Sequence, residues 1–184
     1  MPSVVDILKA RLGGEGVEPA PAADGMPTIY LTREALVDAC LILRDDPELG
    51  FSVLIDAIPV DLFPHEPRFE ISYLLLNPGG DRPAARLRVK VRVPRQDARV
   101  PTLSPVWTSA NWAEREAYDL FGIEFDNHPD LRRILMPEDW EGFPLRKDYP
   151  VQIKAPVKTY EPLQVSEEEF VANIEASRDH SRKG

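Results

Sequence analysis

The chain has a single cysteine, Cys40, in 184 residues. One thiol excludes an internal disulfide, and it excludes an iron–sulfur cluster held by this chain alone, which needs several thiolates. Cys40 falls on the apolar face of an expected helix and reads as a packing residue. Long apolar runs are lacking as well. The longest, 35–43, is interrupted by Asp38 and is far too short to span a bilayer. Positive charge is in deficit, with 22 Lys and Arg against 31 Asp and Glu and a net charge of −9. Phosphate backbones and anionic lipid repel such a chain, so neither nucleic acid nor a membrane surface is an expected partner. The N-terminus carries Asp6 early and has no apolar h-region, so no signal peptide is read and a cytosolic location is expected. No internal repeat is visible.

What is present fits one sizeable core, with ordinary apolar and charged fractions of 43% and 29%. Val4, Ile7, Leu8 and Leu12 mark a short amphipathic helix starting near Ser3, and the Gly-, Ala- and Pro-rich stretch 13–27 reads as a linker. Its Gly13-Gly14-Glu15-Gly16 lacks the Gly-Lys-Ser/Thr of a phosphate loop. A brief strand is expected at 28–31, then a helix over 33–44 capped by Thr32 with Leu36, Cys40 and Leu43 on its buried stripe. Strands follow at 51–63, 69–77 and 85–93. In the last, Leu87, Val89, Val91 and Val93 face inward while Arg86, Arg88, Lys90 and Arg92 face out. Short turns between them predict an antiparallel meander, and the basic stripe, without interleaved aromatics, reads as a solvated or docking face. The fold class is therefore α+β: a small, mixed, largely antiparallel sheet with helices on one face and an extended C-terminal tail.

Ser104-Pro105 predicts a helical region from 105 toward Phe121, broken near 109–111, with Gly122 as a left-handed C-cap. Beyond it, Pro129, Pro137, Pro144 and Pro150 hold the chain in turns. Residues 151–163 are Pro-spaced and read as an extended arm. Ser166 and Glu169 form a capping box for a short final helix bearing Phe170, Val171 and Ile174. The expected parts are 1–27 (helix and linker), 28–150 (the α+β domain) and 151–184 (arm and short helix).

Residues 112–150 are dense in charge, aromatics, Gly and Pro. Asp126, His128 and Asp130 alternate, and on an extended chain all three would share one face fit for a divalent metal. Against that, Pro129 sits inside the set and Arg115, Arg132 and Arg133 are close enough to pair with the carboxylates. Glu114 and Glu116 project about 200° apart on a helix and do not flank a single bond. No Ser, Cys or Lys stands beside His128 as an activated nucleophile. The favoured physical reading is an ion-paired interaction surface. In it the acids of 112–121 and the pairs Arg132-Arg133 and Arg146-Lys147 neutralise one another, and Trp140 and Tyr149 remain for a partner.

The same residues carry a family resemblance. Glu114-Arg115-Glu116, Asp119, Leu120-Phe121, His128, Arg132 and Ile134-Leu135 fill every specified position of a signature pattern. They are continued by Trp140-Glu-Gly-Phe-Pro-Leu-Arg-Lys-Asp-Tyr-Pro150. The stretch resembles the C-type subunit of NADH-quinone oxidoreductase, the 30-kDa subunit family of respiratory complex I. The resemblance implies a non-catalytic scaffold of the peripheral arm of a proton-translocating enzyme, on the cytoplasmic side of the inner membrane and without membrane insertion. It implies no cofactor in this chain, with FMN, iron–sulfur clusters and quinone chemistry in other subunits. The D-type subunit of the same enzyme is the main implied partner, with the B- and I-type subunits nearby. The residues assigned by resemblance to signature and interface are Glu114, Arg115, Glu116, Asp119, His128, Arg132, Arg133, Trp140, Arg146, Lys147, Asp148 and Tyr149; none is assigned to catalysis, cofactor or metal. The equivalent subunit of an energy-converting hydrogenase and an independent metal-dependent enzyme stay open as alternatives.

Overall fold

The alternation along 85–93 is the axis of the fold. The computed structural model describes residues 3–80, 83–150, 166, 168–172 and 174. In chain order it contains α1 (Val4–Leu12), β1 (Val17–Pro19), β2 (Thr28–Leu31), α2 (Leu36–Asp45), β3 (Val53–Asp61), β4 (Phe69–Asn77) and β5 (Ala85–Val93). These are followed by β6 (Arg99–Pro101), α3 (Ala110–Phe121) and β7 (Glu124–Asp126). Contacts divide the chain into one compact unit over Met1–Tyr149 and another over Pro150–Gly184.

β3, β4 and β5 form the expected antiparallel meander, with Ile71 opposite Val91 and Tyr73 opposite both Val89 and Ala57. The five-stranded order is β1-β2-β5-β4-β3. β2 lies parallel to β5, Ile29 opposite Val89, which makes the sheet mixed. Leu87, Val89, Val91 and Val93 are fully buried, as are Ile71, Tyr73, Leu36, Cys40 and Leu43. Each such apolar side chain contributes on the order of 1.5–3 kcal/mol. The outward basic stripe is largely ion-paired within the fold: Arg88 meets Asp24 at 2.6 Å and Lys90 meets Glu70 at 2.7 Å.

Several boundaries differ from expectation for local reasons. The 13–27 stretch includes β1, which pairs antiparallel with β2 and buries Val17, so it is not only linker. Thr32 caps a turn rather than the helix: its hydroxyl accepts the Ala35 N–H at 3.3 Å, and α2 begins at Leu36. Residues 104–109 are mostly turns, and α3 begins at the position of the expected break. There Trp107 is buried, its indole N–H donating to the Phe51 carbonyl at 3.2 Å. β6 and β7 form a second, two-stranded parallel sheet that the pattern of residues does not reveal, because three residues are too few to show a period of two.

The N-terminal helix matches its reading closely. Ser3 and Asp6 form a capping box and Gly13 closes the helix at φ 77°. In the second unit, Ser166 and Glu169 likewise exchange capping hydrogen bonds, and 168–172 and 174 are helical. The expected arm at 151–163 lies outside the described residues.

Candidate functional site

Helix α3 organises the signature. Its C-terminus is closed by Gly122 at φ 69°, whose N–H donates to the Tyr118 carbonyl at 2.8 Å. Side chains on and near the helix then hold several separate pieces of chain.

Asp119 is fully buried. One carboxylate oxygen accepts the backbone N–H groups of Ile134, Leu135 and Met136 at 3.0, 2.7 and 2.8 Å, and the other accepts the Arg133 guanidinium at 2.7 Å. Burial alone would raise its pKa, but the three N–H donors and Arg133 outweigh that and hold it below the usual carboxylate range. Arg133 extends the network by donating to the carbonyls of Trp140 and Gly142, both at 3.1 Å. Arg115 donates to the carbonyls of Arg132 and Arg133. A Pro-bounded loop is thus fastened to α3 through its backbone.

Arg146 departs from the expectation that it neutralises acids. It donates to the carbonyls of Phe121 and Gly122 at 2.5 and 3.2 Å, satisfying acceptors at the end of α3. Its guanidinium lies 4.5 Å from the Phe143 ring centroid and 5.3 Å from that of Phe69. Burial and the nearby Arg68 cation pull its pKa down.

Asp148 reaches a pair that the sequence alone does not reveal. Arg68 is only 1% exposed, yet donates to Asp61 at 3.0 and 2.8 Å and to Asp148 at 2.8 and 2.5 Å. The Lys147 N–H donates to Asp61 at 2.9 Å. Burial works against ionised Asp61, but Arg68 and the N–H groups of Lys147 and Phe63 hold its pKa at about 2. The only sequence signal is that Asp61 and Arg68 flank the Pro64-His65-Glu66-Pro67 turn, where both look like surface residues.

Glu114 is a correction to the ion-paired reading. Its side chain is fully buried and has no Lys or Arg partner among the described residues. It accepts the Leu103 N–H at 2.7 Å and the Thr102 hydroxyl at 2.5 Å, with His128 Nε2 at 3.9 Å. Burial pushes its pKa up to about 7, against the opposing pull of those two hydrogen bonds. His128 Nδ1 receives the Asp130 N–H at 3.0 Å, so the ring proton sits on Nε2 and is donated to the Asn111 carbonyl at 3.2 Å. Glu116, projecting from the other side of α3, is exposed.

The remaining candidates are dispersed. Asp126 lies near Arg99 at 3.6 Å and Asp130 binds Arg132 at 2.7 Å, so Asp126, His128 and Asp130 turn to different partners instead of converging. Arg132 is exposed, and Lys147 offers its backbone rather than its ammonium. Trp140 is half-buried, and Tyr149 packs beside Gly142 while its hydroxyl donates to the Glu141 carbonyl.

Comparison with known proteins agrees with this architecture. Residues 29–155 match the family described as the 30-kDa subunit of respiratory-chain NADH dehydrogenase. The chain belongs to this family. It is 50% identical over 130 residues to the NADH-quinone oxidoreductase C-type subunit of Geobacter sulfurreducens, covering 70% of this chain and 76% of that protein. To the second NADH-quinone oxidoreductase C-type subunit of Rhizobium meliloti it is 44% identical over 147 residues, 79% of each chain. Among solved structures, a trypsin-resistant fragment of Nqo5 superposes with a TM-score of 0.58 at 36% identity, covering 68% of this chain and 96% of that one. A chain of the membrane-bound sulfane sulfur reductase, an archaeal respiratory membrane complex, shares the fold with a TM-score of 0.65 at 23% identity, covering 80% and 84%. The relatives of this 30-kDa-subunit family member are thus components of multi-subunit respiratory complexes. Among the described residues, no helix is long and apolar enough to cross a membrane.

Proposed function

We propose that the chain is a non-catalytic scaffold subunit of the peripheral arm of a proton-translocating NADH:quinone oxidoreductase. It holds no cofactor, and electrons pass from NADH through FMN and iron–sulfur clusters in other subunits to quinone. Its position is peripheral, on the cytoplasmic side of the membrane. It packs mainly on the D-type subunit of that enzyme and touches the B- and I-type subunits.

The observation that carries this reading is how Asp119 is used. A fully buried carboxylate that accepts three backbone N–H groups and one guanidinium is committed to holding a loop in shape and is not open to substrate. Arg146 and Arg68 are committed in the same way, to helix-end carbonyls and to two carboxylates. A chain that spends its ionisable groups on positioning backbone presents a rigid surface, which is what a scaffold requires. The 44–50% identity to subunits named for NADH-quinone oxidoreductase supports that branch over the related hydrogenase complexes.

Affinity purification of the tagged chain from its own membranes tests the proposal. Recovery of a flavin- and iron–sulfur-containing assembly that oxidises NADH with a quinone acceptor supports it. Recovery with a nickel-containing catalytic subunit, or recovery alone with bound metal, refutes it.

A further inference from the structure

Glu114 and His128 tie together three segments at the N-terminal end of α3. Glu114 holds the turn that begins at Thr102 and Leu103, while His128 joins the first turn of α3, through Asn111, to residues 127–130. Between these segments lies an open groove of about 380 Å³ walled by Pro105, Thr108, Asn111, Trp112, Asn127 and Pro129. Trp112 is 63% exposed, the most exposed of the large hydrophobic side chains described. It is not loose: the Arg115 guanidinium lies 5.1 Å from its ring centroid and is itself held by the Arg132 and Arg133 carbonyls.

The lining has two chemistries. Trp112, Pro105 and Pro129 offer apolar surface. The side chains of Thr108, Asn111 and Asn127 make no hydrogen bond among the described residues, leaving two amides, each with a donor and an acceptor, and one hydroxyl. No Lys or Arg lines the groove, so it does not suit an anion. The nearby acids Asp126 and Asp130 are already met by Arg99 and Arg132, so it does not call for a cation either. Thr108 and Asn127 are exposed and Asn111 is half-buried, so an extended polypeptide can reach both chemistries: its backbone N–H and C=O match the amides, and an uncharged apolar side chain matches the Trp–Pro walls.

We propose that this groove docks an extended, uncharged apolar segment of another subunit of the respiratory assembly, with Trp112 as its anchor. The proposal rests on the scaffold reading above and adds the surface and the chemistry of its occupant. It also gives Glu114 and His128 a task, which is to hold the groove walls in register. Trp and Arg are enriched among the residues that dominate binding energy at interfaces.

The test places a photoreactive benzophenone amino acid at Thr108 in the full chain, illuminates the complex purified from its own membranes, and maps adducts by mass spectrometry. One peptide of a different subunit should be captured. Trp112→Ala should lower the yield about tenfold or more. Asn127→Gly, which keeps the left-handed backbone at φ 63° while removing the amide, should lower it severalfold. Adducts only to this same chain or to lipid overturn the proposal, as does a yield unaffected by Trp112→Ala. If purification brings no other subunit, the scaffold reading itself fails. If the complex is recovered but the probe at Thr108 captures none of its other subunits, the groove assignment alone fails.

Discussion

Asp119 and Arg133 meet at 2.7 Å across fourteen residues of chain, and the same carboxylate caps three successive N–H groups that follow Arg133. The pair is a buried hinge pin between helix and loop. Asp119→Ala would leave three N–H donors and a guanidinium without their acceptor. The expected loss is roughly 3–5 kcal/mol by urea unfolding. Arg132→Ala removes only an exposed pair with Asp130 and should change stability by less than about 1 kcal/mol. Equal effects of the two variants would contradict the anchoring role given to Asp119. Because its folded pKa is depressed, the stability from Asp119 is present above the ordinary carboxylate pKa and is lost as pH falls through the lower, folded value.

Glu114 predicts the opposite slope. Its folded pKa of about 7 lies above the unfolded value of 4.5, so the folded state holds the extra proton between them. Stability from this group is therefore greatest below about pH 4.5 and declines as pH rises through 7, by roughly 3 kcal/mol at most. Glu114→Gln keeps the volume and cannot ionise. Comparing unfolding free energies of the two proteins from pH 5 to 8 should show the wild type losing stability relative to the variant. A constant difference across that range would mean that Glu114 does not titrate there.

Arg68 predicts a loss that reaches distant chain. It is buried between Asp61 and Asp148, and Lys147 is fastened to Asp61 by its backbone. Arg68→Met leaves the buried Asp61 carboxylate without its cation, at an expected cost of about 3 kcal/mol or more. Hydrogen exchange at the Lys147 amide should accelerate in the variant more than at β5 amides. A uniform change across the unit would argue against a local tether.

Gly122 and Gly13 offer a paired test of close approach. Both have positive φ, 69° and 77°, but a Cβ on Gly122 would overlap the Phe143 ring and the Arg146 guanidinium, whereas one on Gly13 meets nothing within 4 Å. Gly13→Ala should cost about 1 kcal/mol from backbone conformation alone. Gly122→Ala should cost clearly more and lower the thermal midpoint further. Similar midpoints would show that 143–146 does not pack on the helix end as described.

The elements that the sequence specified locally are those whose signal lies within a few residues. The start of α1 near Ser3, the capping box at Ser166, the C-cap at Gly122 and the strands Phe69–Asn77 and Ala85–Val93 depend on neighbours at one to four positions, so pattern alone located them. The opposed projection of Glu114 and Glu116 followed from helix geometry, and the run from Glu114 to Leu135 was enough to mark the family. Tertiary structure alone decided the parallel placement of β2 beside β5, the burial of Glu114 without a cation, and the turn of Arg146 toward carbonyls instead of acids. It alone joined Arg68 to Asp148, eighty positions apart. The physical reason is common to these cases: a charged residue's partner and dielectric surroundings come from whichever distant segment packs against it, and residue type reveals a capacity to bond without revealing with what.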